Sequence, residues 1–253
     1  MNGIGTGVQA IRSAVFIAEM YLAMALFALF WTPLALWRAD MAVRAIHAYC
    51  RHVRRSAALI AGLRSEVRGA VPQGDVLVAA KHQSFFDILI LCSVLPRPRF
   101  VMKKELVRAP IVGWYARRIG CVAVDRGRRG QAVRSMLDAA RQGSGSGSQL
   151  VIYPQGTRVA PGVRRDYKPG TGALYETLGT PCVPAATNVG MFWPRHGLMR
   201  KPGLAVVEFL APIPPGMATK PFMEELERVV EAASDELMAE AGLATGKGPR
   251  AAG

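Results

Sequence analysis

From about residue 65 onward, short apolar segments alternate with segments of helical character. This alternation predicts an α/β fold, a mixed sheet flanked by helices. The apolar segments are nearly uninterrupted, which is typical of strands buried on both faces. The predicted strands are residues 76–80, 99–103, 121–124, 150–153, 182–187 and 204–210. The predicted helices are residues 85–94, 104–118, 130–142 and 172–178, and a last helix over 219–242 covers the sheet.

In two of these elements, single residues indicate where the strand lies in the sheet or where the helix begins. Pro184 lies in the 182–187 segment, and because proline cannot donate to a ladder, this segment is expected at an edge or a turn. In the last helix, Thr219 is expected to cap the N-terminus and Pro221 lies in the first turn. Its apolar residues are expected on one face and its acidic residues on the other.

The N-terminal region is different. Residues 13–37 contain no Lys or Arg and one acidic residue, Glu19. A helix of this length could span a bilayer, but Glu19, Pro33, Trp31 and Trp37 favour a segment that dips into the interface or spans with a kink.

Residues 41–63 follow as an amphipathic helix with a basic face. Alone, this helix could equally pack on the core of the domain with solvated arginines. Placed after residues 13–37, it predicts a membrane-associated two-helix hairpin with arginines at the level of lipid phosphates. We therefore expect an N-terminal membrane-associating hairpin over 1–63, an α/β domain over 64–243 and a disordered tail over 244–253.

The composition adds a constraint on partners. The 253-residue chain has a formal net charge of +14. Nucleic acid, an anionic membrane surface, and acidic substrates or carrier proteins all suit that charge. Its basic residues occur as scattered short pairs, which indicates a basic face instead of a basic tail. The four cysteines are widely spaced, so we expect reduced, buried thiols of a cytosolic compartment, with neither a zinc site nor a disulfide framework.

The stretch KHQSFFD, residues 81–87, has two interpretations. Ser84 and Asp87 form an S-x-x-D pattern before an apolar run, and alone the stretch is better explained as a capping box. The same geometry points the Asp87 carboxylate back toward His82. There it could fix one imidazole nitrogen and leave the other as a general base, with the substrate supplying the hydroxyl and the helix dipole helping to stabilise an oxyanion.

Three further stretches lie at predicted strands. GCVAVDR ends at Arg126, YPQGTR spans residues 153–158, and VPAA begins at Val183. In YPQGTR, glycine allows close backbone approach, and Thr157 and Arg158 can contact a phosphate. Each signal is weak alone, because an arginine at a strand end is usually just solvated. Their shared position favours a ligand site, since ligands of open α/β sheets bind at strand ends.

These four segments occur in the order and rough spacing of the four motifs of the glycerolipid acyltransferases. HQSFFD resembles H-x4-D, and YPQGTR resembles F-P-E-G-T-R. The resemblance covers about residues 65–210 and is to the bacterial 1-acyl-sn-glycerol-3-phosphate acyltransferases of that family. By position it implies that His82 is the catalytic base and Asp87 its orienting carboxylate. It also implies a binding site for the acceptor phosphate made by Arg126, Arg158, Gly156, Thr157, Lys103 and Lys104.

Two residues depart from the family pattern. Gln155 stands where Glu is usual, so it can hydrogen-bond but cannot serve as a carboxylate. Lys81 stands before the histidine, where Asn is common. YKPG, residues 167–170, is similar to a basic segment downstream of the third motif, and a solvated loop explains it equally well.

The implied reaction moves a fatty acyl group from acyl-CoA or acyl carrier protein to the sn-2 hydroxyl of lysophosphatidic acid. The implied partners are these substrates and membrane lipids, with no nucleic acid, metal or cofactor. The implied location is the inner membrane, with the catalytic domain on its cytoplasmic face. Two alternatives stay open: the same chemistry on another lysolipid, such as a lyso-ornithine lipid, and a non-catalytic basic membrane-binding protein.

Overall fold

A central sheet of seven strands organises the computed structural model, which describes residues 3–125, 129–143 and 145–243. The strands are β1 (Leu63–Arg68), β2 (Val76–Ala80), β3 (Pro98–Lys103), β4 (Val122–Val124), β5 (Gln149–Ile152), β6 (Cys182–Thr187) and β7 (Gly203–Phe209). Their order in the sheet is β1-β7-β6-β2-β5-β3-β4. The five strands from β6 to β4 are parallel, whereas β7 is antiparallel to β6 and pairs in parallel with β1. The predicted mixed α/β sheet is therefore confirmed.

Helices cover both faces of this sheet. They are α1 (Gly3–Trp37), α2 (Ala39–Ser56), α3 (Phe85–Val94), α4 (Pro110–Arg118), α5 (Arg129–Arg141), α6 (Gly170–Leu178) and α7 (Thr219–Glu240). Side chains alternate along β2, so that Val78 and Ala80 pack in the core with α2 and α3, while Leu77 and Ala79 pack in the core with α6 and α7. The same alternation directs successive residues just after β2 toward opposite faces.

The helix predicted over residues 41–63 ends early. After α2, a π-helical turn spans Ala57–Ala61, and Gly62 then adopts a left-handed conformation with φ 70°. Glycine reaches this region without a Cβ clash, and it terminates helices for that reason. Leu63 consequently begins β1, a strand that the apolar pattern did not predict.

The helix predicted over residues 104–118 is interrupted. A 3-10 turn spans Lys104–Arg108, Ala109 is extended (φ −64°, ψ 132°), and α4 begins at Pro110. A proline disfavours the helical region for the residue before it, and proline is well suited to the first position of a helix. Pro110 therefore starts a new helix instead of continuing the earlier one.

The expectation that Pro184 marks an edge or a turn is wrong, because β6 lies between β7 and β2 in the sheet. The Pro184 carbonyl accepts a hydrogen bond from Leu210 N–H at 2.9 Å. Its nitrogen therefore faces the β7 side, and β7 ends at Phe209, before that level. An interior strand tolerates this proline because its missing N–H costs only one hydrogen bond at the end of the β6–β7 ladder, where Leu210 N–H still pairs with the Pro184 carbonyl.

The last helix, α7, agrees closely with its predicted span but not with its details. Ala218 is the N-cap residue, so Thr219 is not the cap, and its hydroxyl donates to the Glu176 carboxylate instead. The acidic residues do not all face away from the core either. Glu231 is 5% exposed and lies on the side of α7 that faces the sheet.

The N-terminal helices α1 and α2 pack side by side as an antiparallel hairpin. The Tyr49 hydroxyl donates to the Met20 carbonyl at 3.3 Å, and the Tyr49 ring makes an edge contact with Phe27. One helix of the described chain, Gly5–Trp37, is long and apolar enough to cross a membrane by length and composition. Many of its large apolar side chains are exposed: Leu22, Leu26, Leu29, Phe30, Leu34, Leu36 and Trp37.

The hairpin also contacts the helix that follows β2. Arg54 of α2 donates from one guanidinium nitrogen to the Ser93 hydroxyl of α3 at 2.8 Å and from another to the Ser65 hydroxyl of β1 at 2.8 Å. His47 Nε2 lies 2.9 Å from the Leu95 carbonyl oxygen, just after α3. The apolar hairpin and α3 are thus fixed to each other.

Candidate active site

His82 and Asp87 lie next to each other at the junction of β2 and α3. Asp87 is 1% exposed, and its Oδ1 lies 3.0 Å from His82 Nδ1. Its Oδ2 accepts the backbone N–H of Gln83 at 2.9 Å and of Ser84 at 2.8 Å. The Ser84 hydroxyl accepts Phe86 N–H at 3.1 Å, which completes the predicted capping box. Since the box uses one carboxylate oxygen of Asp87 and the imidazole uses the other, the two interpretations of this stretch are compatible.

The His82 ring is held on a second side by Tyr153, the first residue of YPQGTR. The two rings stack with their centroids 3.8 Å apart and their planes at 15°. The His82 side chain is 13% exposed, and within the described chain its Nε2 has no hydrogen-bond partner. An imidazole held at Nδ1 and open at Nε2 can accept a proton from a hydroxyl placed before it.

The hydroxyl of Tyr153 is buried and has no hydrogen-bond partner in the described part of the chain. Burial raises the pKa of Tyr153 well above its usual range, and the nearby Asp87 carboxylate adds to this effect. Tyr153 is therefore a neutral aromatic surface beneath the imidazole.

The loop after β5 lies against the backbone of His82. Val159 N–H donates to the His82 carbonyl at 2.7 Å, and Gly156 N–H donates to the Tyr153 carbonyl at 2.8 Å. Gly156 has φ 69°, a left-handed conformation that favours glycine. The predicted loop of Gly156 and Thr157 is thus fixed beside His82 by backbone hydrogen bonds.

Arg158 makes a reciprocal contact with Arg195. Each guanidinium donates to the main-chain carbonyl of the other residue, at 3.3 Å from Arg158 and 3.2 Å from Arg195. Neither arginine has a carboxylate partner among the residues that the structure describes. Two guanidinium groups thus lie at the rim of the loop without a neutralising acid.

The other predicted basic residues lie at the same edge of the sheet. Lys103 ends β3, and the exposed Lys104 follows it, with its Nζ 3.4 Å from Asp125 Oδ2. Because β2, β5 and β3 are parallel neighbours, their carboxyl ends share one edge, and Lys103 lies about 10 Å across the sheet from His82. Arg126 lies outside the described residues.

A buried ionic cluster lies on the opposite face of the sheet, under the same loops. Its centre is the carboxylate of Glu231, which four side chains contact: Lys81, Gln155, Arg164 and Tyr167. Lys81 Nζ lies 2.6 Å from both carboxylate oxygens, and the exposed fraction of the Lys81 side chain is 1%. Burial lowers the pKa of Lys81 below the usual range of lysine, while Glu231 acts in the opposite direction.

The four cysteines are free thiols, and three of them are buried, as predicted, while Cys121 is partly exposed. In the described ranges, no group of three or more His, Cys, Asp or Glu side chains has an arrangement that could hold a metal ion.

Comparison with known proteins supports one family. Residues 64–188 match the family model Acyltransferase. The chain is 30% identical to the 1-acyl-sn-glycerol-3-phosphate acyltransferase of Pseudomonas aeruginosa over 204 residues, covering 78% of each protein. It is also 30% identical to human 1-acyl-sn-glycerol-3-phosphate acyltransferase alpha over 158 residues, covering 60% of this chain and 56% of the human protein. The crystal structure of the 1-acyl-sn-glycerophosphate (LPA) acyltransferase PlsC from Thermotoga maritima superposes with a TM-score of 0.77 at 21% identity, covering 94% of this chain and all of that one.

A mixed α/β sheet with H-x4-D at the carboxyl end of a central strand, preceded by an apolar helix, defines an acyltransferase-type protein. The 30% identity to the Pseudomonas enzyme, over 78% of each protein, identifies the family of this chain more narrowly than the fold and site do. The chain belongs to the glycerolipid acyltransferase family and is an enzyme of the 1-acyl-sn-glycerol-3-phosphate acyltransferase type.

Sequence patterns did not find two features of the site. Tyr153 is the first residue of YPQGTR, but that sequence alone does not reveal that its ring stacks on His82. Glu231 lies 149 positions after His82 and was expected on the solvent face of α7. A weak signal for Glu231 was present, because Lys81 is a charged residue at the end of a buried strand and therefore needs a buried partner.

Proposed function

We propose that the enzyme transfers a fatty acyl group from acyl-CoA or acyl carrier protein to the sn-2 hydroxyl of lysophosphatidic acid. The products are phosphatidic acid and a free thiol. The observation that carries this proposal is the pairing of His82 Nδ1 with a buried Asp87 while Nε2 stays open, in a chain of the acyltransferase family.

In the proposed reaction, His82 Nε2 accepts the proton of the lipid hydroxyl as its oxygen attacks the thioester carbonyl carbon. A C–O bond forms, the C–S bond of the tetrahedral intermediate breaks, and the proton passes from the imidazolium to the departing thiolate. Asp87 holds the Nδ1–H tautomer and stabilises the imidazolium. A base placed in this way contributes about 10²- to 10⁴-fold to a rate.

The acceptor phosphate is proposed to bind along the same edge of the sheet. Arg158 and Lys103 are cations there, and neither has an acidic partner in the part of the chain that the structure describes. A guanidinium can bind phosphate oxygens in a bidentate manner, and Gly156 and Thr157 shape the loop that carries Arg158. Arg126 by its place in the motif GCVAVDR, and Lys104 by its place next to Lys103 after β3, complete the proposed set.

We propose that residues 1–63 attach the α/β domain of residues 64–243 to the cytoplasmic leaflet of the inner membrane without crossing it. Near its N-terminus, α1 is tied to the domain by Gln9 Nε2, which donates to the Ala61 and Arg200 carbonyls at 2.9 and 2.6 Å. Near its C-terminus, Arg118 of α4 donates to the Ala35 carbonyl at 3.0 Å.

These two attachments lie about 39 Å apart along the helix. A helix bound at both ends to one globular body lies along that body, and its exposed apolar side chains then face the hydrocarbon of one leaflet. This position would allow a lysolipid to reach His82 from the membrane.

The test is an assay of purified protein in vesicles with lysophosphatidic acid and either acyl-CoA or acyl carrier protein as the donor. Phosphatidic acid formation is expected for the wild type. Arg158→Gln should raise the KM for lysophosphatidic acid with little change in the KM for the donor, whereas Arg228→Gln, an arginine on α7 paired with Glu225, serves as the charge-matched control. An unchanged KM for lysophosphatidic acid in Arg158→Gln, or a wild type that accepts a phosphate-free lysolipid as well as lysophosphatidic acid, would contradict the assigned acceptor.

A further inference from the structure

We propose that Glu231 is a positioning residue of the acyltransferase site, which sets the places of His82 and of the loop after β5 from the far face of the sheet. This inference rests on the proposed role of His82 as the base. Glu231 contacts neither reacting atoms nor His82, so it acts through the side chains that bind it.

The first connection runs through Lys81. Lys81 N–H donates to the Ala185 carbonyl at 2.8 Å and continues the β2–β6 ladder by one residue. Because side chains alternate in an extended strand, Lys81 faces α7 and His82 faces α3. The Lys81 ammonium lies 2.6 Å from both oxygens of Glu231, so α7 fixes the backbone immediately before the imidazole.

The second connection runs through the segment after β5. Gln155 Nε2 donates to Glu231 Oε1 at 3.2 Å, and the Tyr167 hydroxyl donates to the same oxygen at 3.1 Å. Arg164 donates to Glu231 Oε2 at 2.6 Å and also pairs with Asp235. Gln155 immediately precedes Gly156, so one carboxylate fixes both the loop proposed for the phosphate and the strand end that carries the base.

The balance of charges in this cluster explains why position 155 carries an uncharged side chain. Lys81 and Arg164 oppose Glu231 and Asp235, so the four charges are balanced. Gln155 is 1% exposed, and a carboxylate in its place would face Glu231 at close range in a buried site. Buried ion pairs add little net stability compared with apolar replacements, and some are retained because they specify one arrangement. Here the arrangement that they specify is that of the two loops at the site.

The experiment compares Glu231→Gln, the double variant Glu231→Gln with Lys81→Met, and Glu240→Gln. The double variant removes both charges of the pair, so no unpaired buried ammonium is left that could unfold the protein. It also keeps an acceptor oxygen for Gln155 and Tyr167. Glu240 is the matched control, because it also lies on α7 and pairs with Arg68 of β1 at 2.8 Å, but in an exposed position.

Three quantities are measured: kcat per folded molecule, KM for the acyl thioester, and the proton NMR resonance of His82 Nδ1–H, assigned by its loss in His82→Ala. For the double variant, we expect kcat to fall about tenfold or more with KM for the thioester unchanged, and the resonance to shift or broaden. Glu240→Gln should match the wild type in all three.

The proposal is overturned if both Glu231 variants keep the wild-type kcat per folded molecule and the wild-type resonance. The resonance does not depend on turnover. A wild-type protein that makes no phosphatidic acid would therefore refute the proposed function, while the resonance of the variants would still decide whether Glu231 positions His82.

Discussion

Replacing Asp87 by alanine should reduce both the stability and the activity of this protein, because its two oxygens have different partners. Oδ2 accepts the N–H groups of Gln83 and Ser84, residues that are both 0% exposed, and Oδ1 contacts His82. In Asp87→Ala, two buried backbone donors lose their acceptor. A buried donor left unsatisfied costs about 1–3 kcal/mol, so the free energy of unfolding should fall by about 2–6 kcal/mol.

The loss of activity has a separate origin. Without the carboxylate, nothing selects the Nδ1–H tautomer or stabilises the imidazolium, and kcat should fall by about 10²-fold or more. Urea unfolding followed by tryptophan fluorescence gives the stability, and phosphatidic acid formation below the unfolding transition gives the activity.

Two further variants separate these effects. His82→Ala should abolish turnover at a smaller cost in stability than Asp87→Ala, since the imidazole satisfies no buried backbone donor through Nδ1. Ser84→Ala removes the acceptor of Phe86 N–H and should cost about 1 kcal/mol, with a far smaller loss of activity. Unchanged urea midpoints for Asp87→Ala, or turnover in His82→Ala comparable to that of the wild type, would refute this reasoning.

Other variants test the packing around the site. Tyr153→Phe removes a buried hydroxyl that lacks a hydrogen-bond partner within the described chain. The urea midpoint should therefore rise by the equivalent of about 1 kcal/mol, with turnover retained. A lower urea midpoint would mean that the hydroxyl is hydrogen-bonded in solution. Gly69→Ala would place a Cβ 2.0 Å from a carbonyl oxygen of β7. It should lower the thermal midpoint much more than Gly74→Ala, because Gly74 has a similar positive φ but open space around it. Equal decreases of the thermal midpoint in the two variants would contradict the clash. Leu29→Glu with Phe30→Glu, at exposed positions of α1, should reduce sedimentation with vesicles while the soluble fraction stays folded, and unaltered sedimentation would contradict burial of this face in the leaflet.

Several parts of the fold follow from local sequence. The alternation of apolar and helical segments predicted an α/β sheet, because burial on both faces leaves a continuous apolar pattern in a strand. The capping box of Ser84 and Asp87 was equally predictable, since its partners lie three residues apart. Boundaries were less predictable where one residue decides them, as Gly62 does by its left-handed conformation and Pro110 by restricting Ala109.

The position of β6 was not predictable, because whether a proline can occupy an interior strand depends on where the neighbouring strand ends. Pro184 is tolerated because β7 ends at Phe209, one residue before Leu210, which pairs with its carbonyl. That circumstance involves two strands that are separated in sequence, and a pattern within residues 182–187 contains no information about it.

By itself, the sequence determined the class of fold, the apolar N-terminal helix and the His82–Asp87 pair, since each depends on residues that are close along the chain. The tertiary structure decided what surrounds that pair: the Tyr153 ring against the imidazole, and Glu231 bound to Lys81 from the opposite face of the sheet. The physical reason is that a local pattern fixes which face a side chain takes, whereas the partner that meets it there comes from a distant segment brought near by packing of the sheet and its helices.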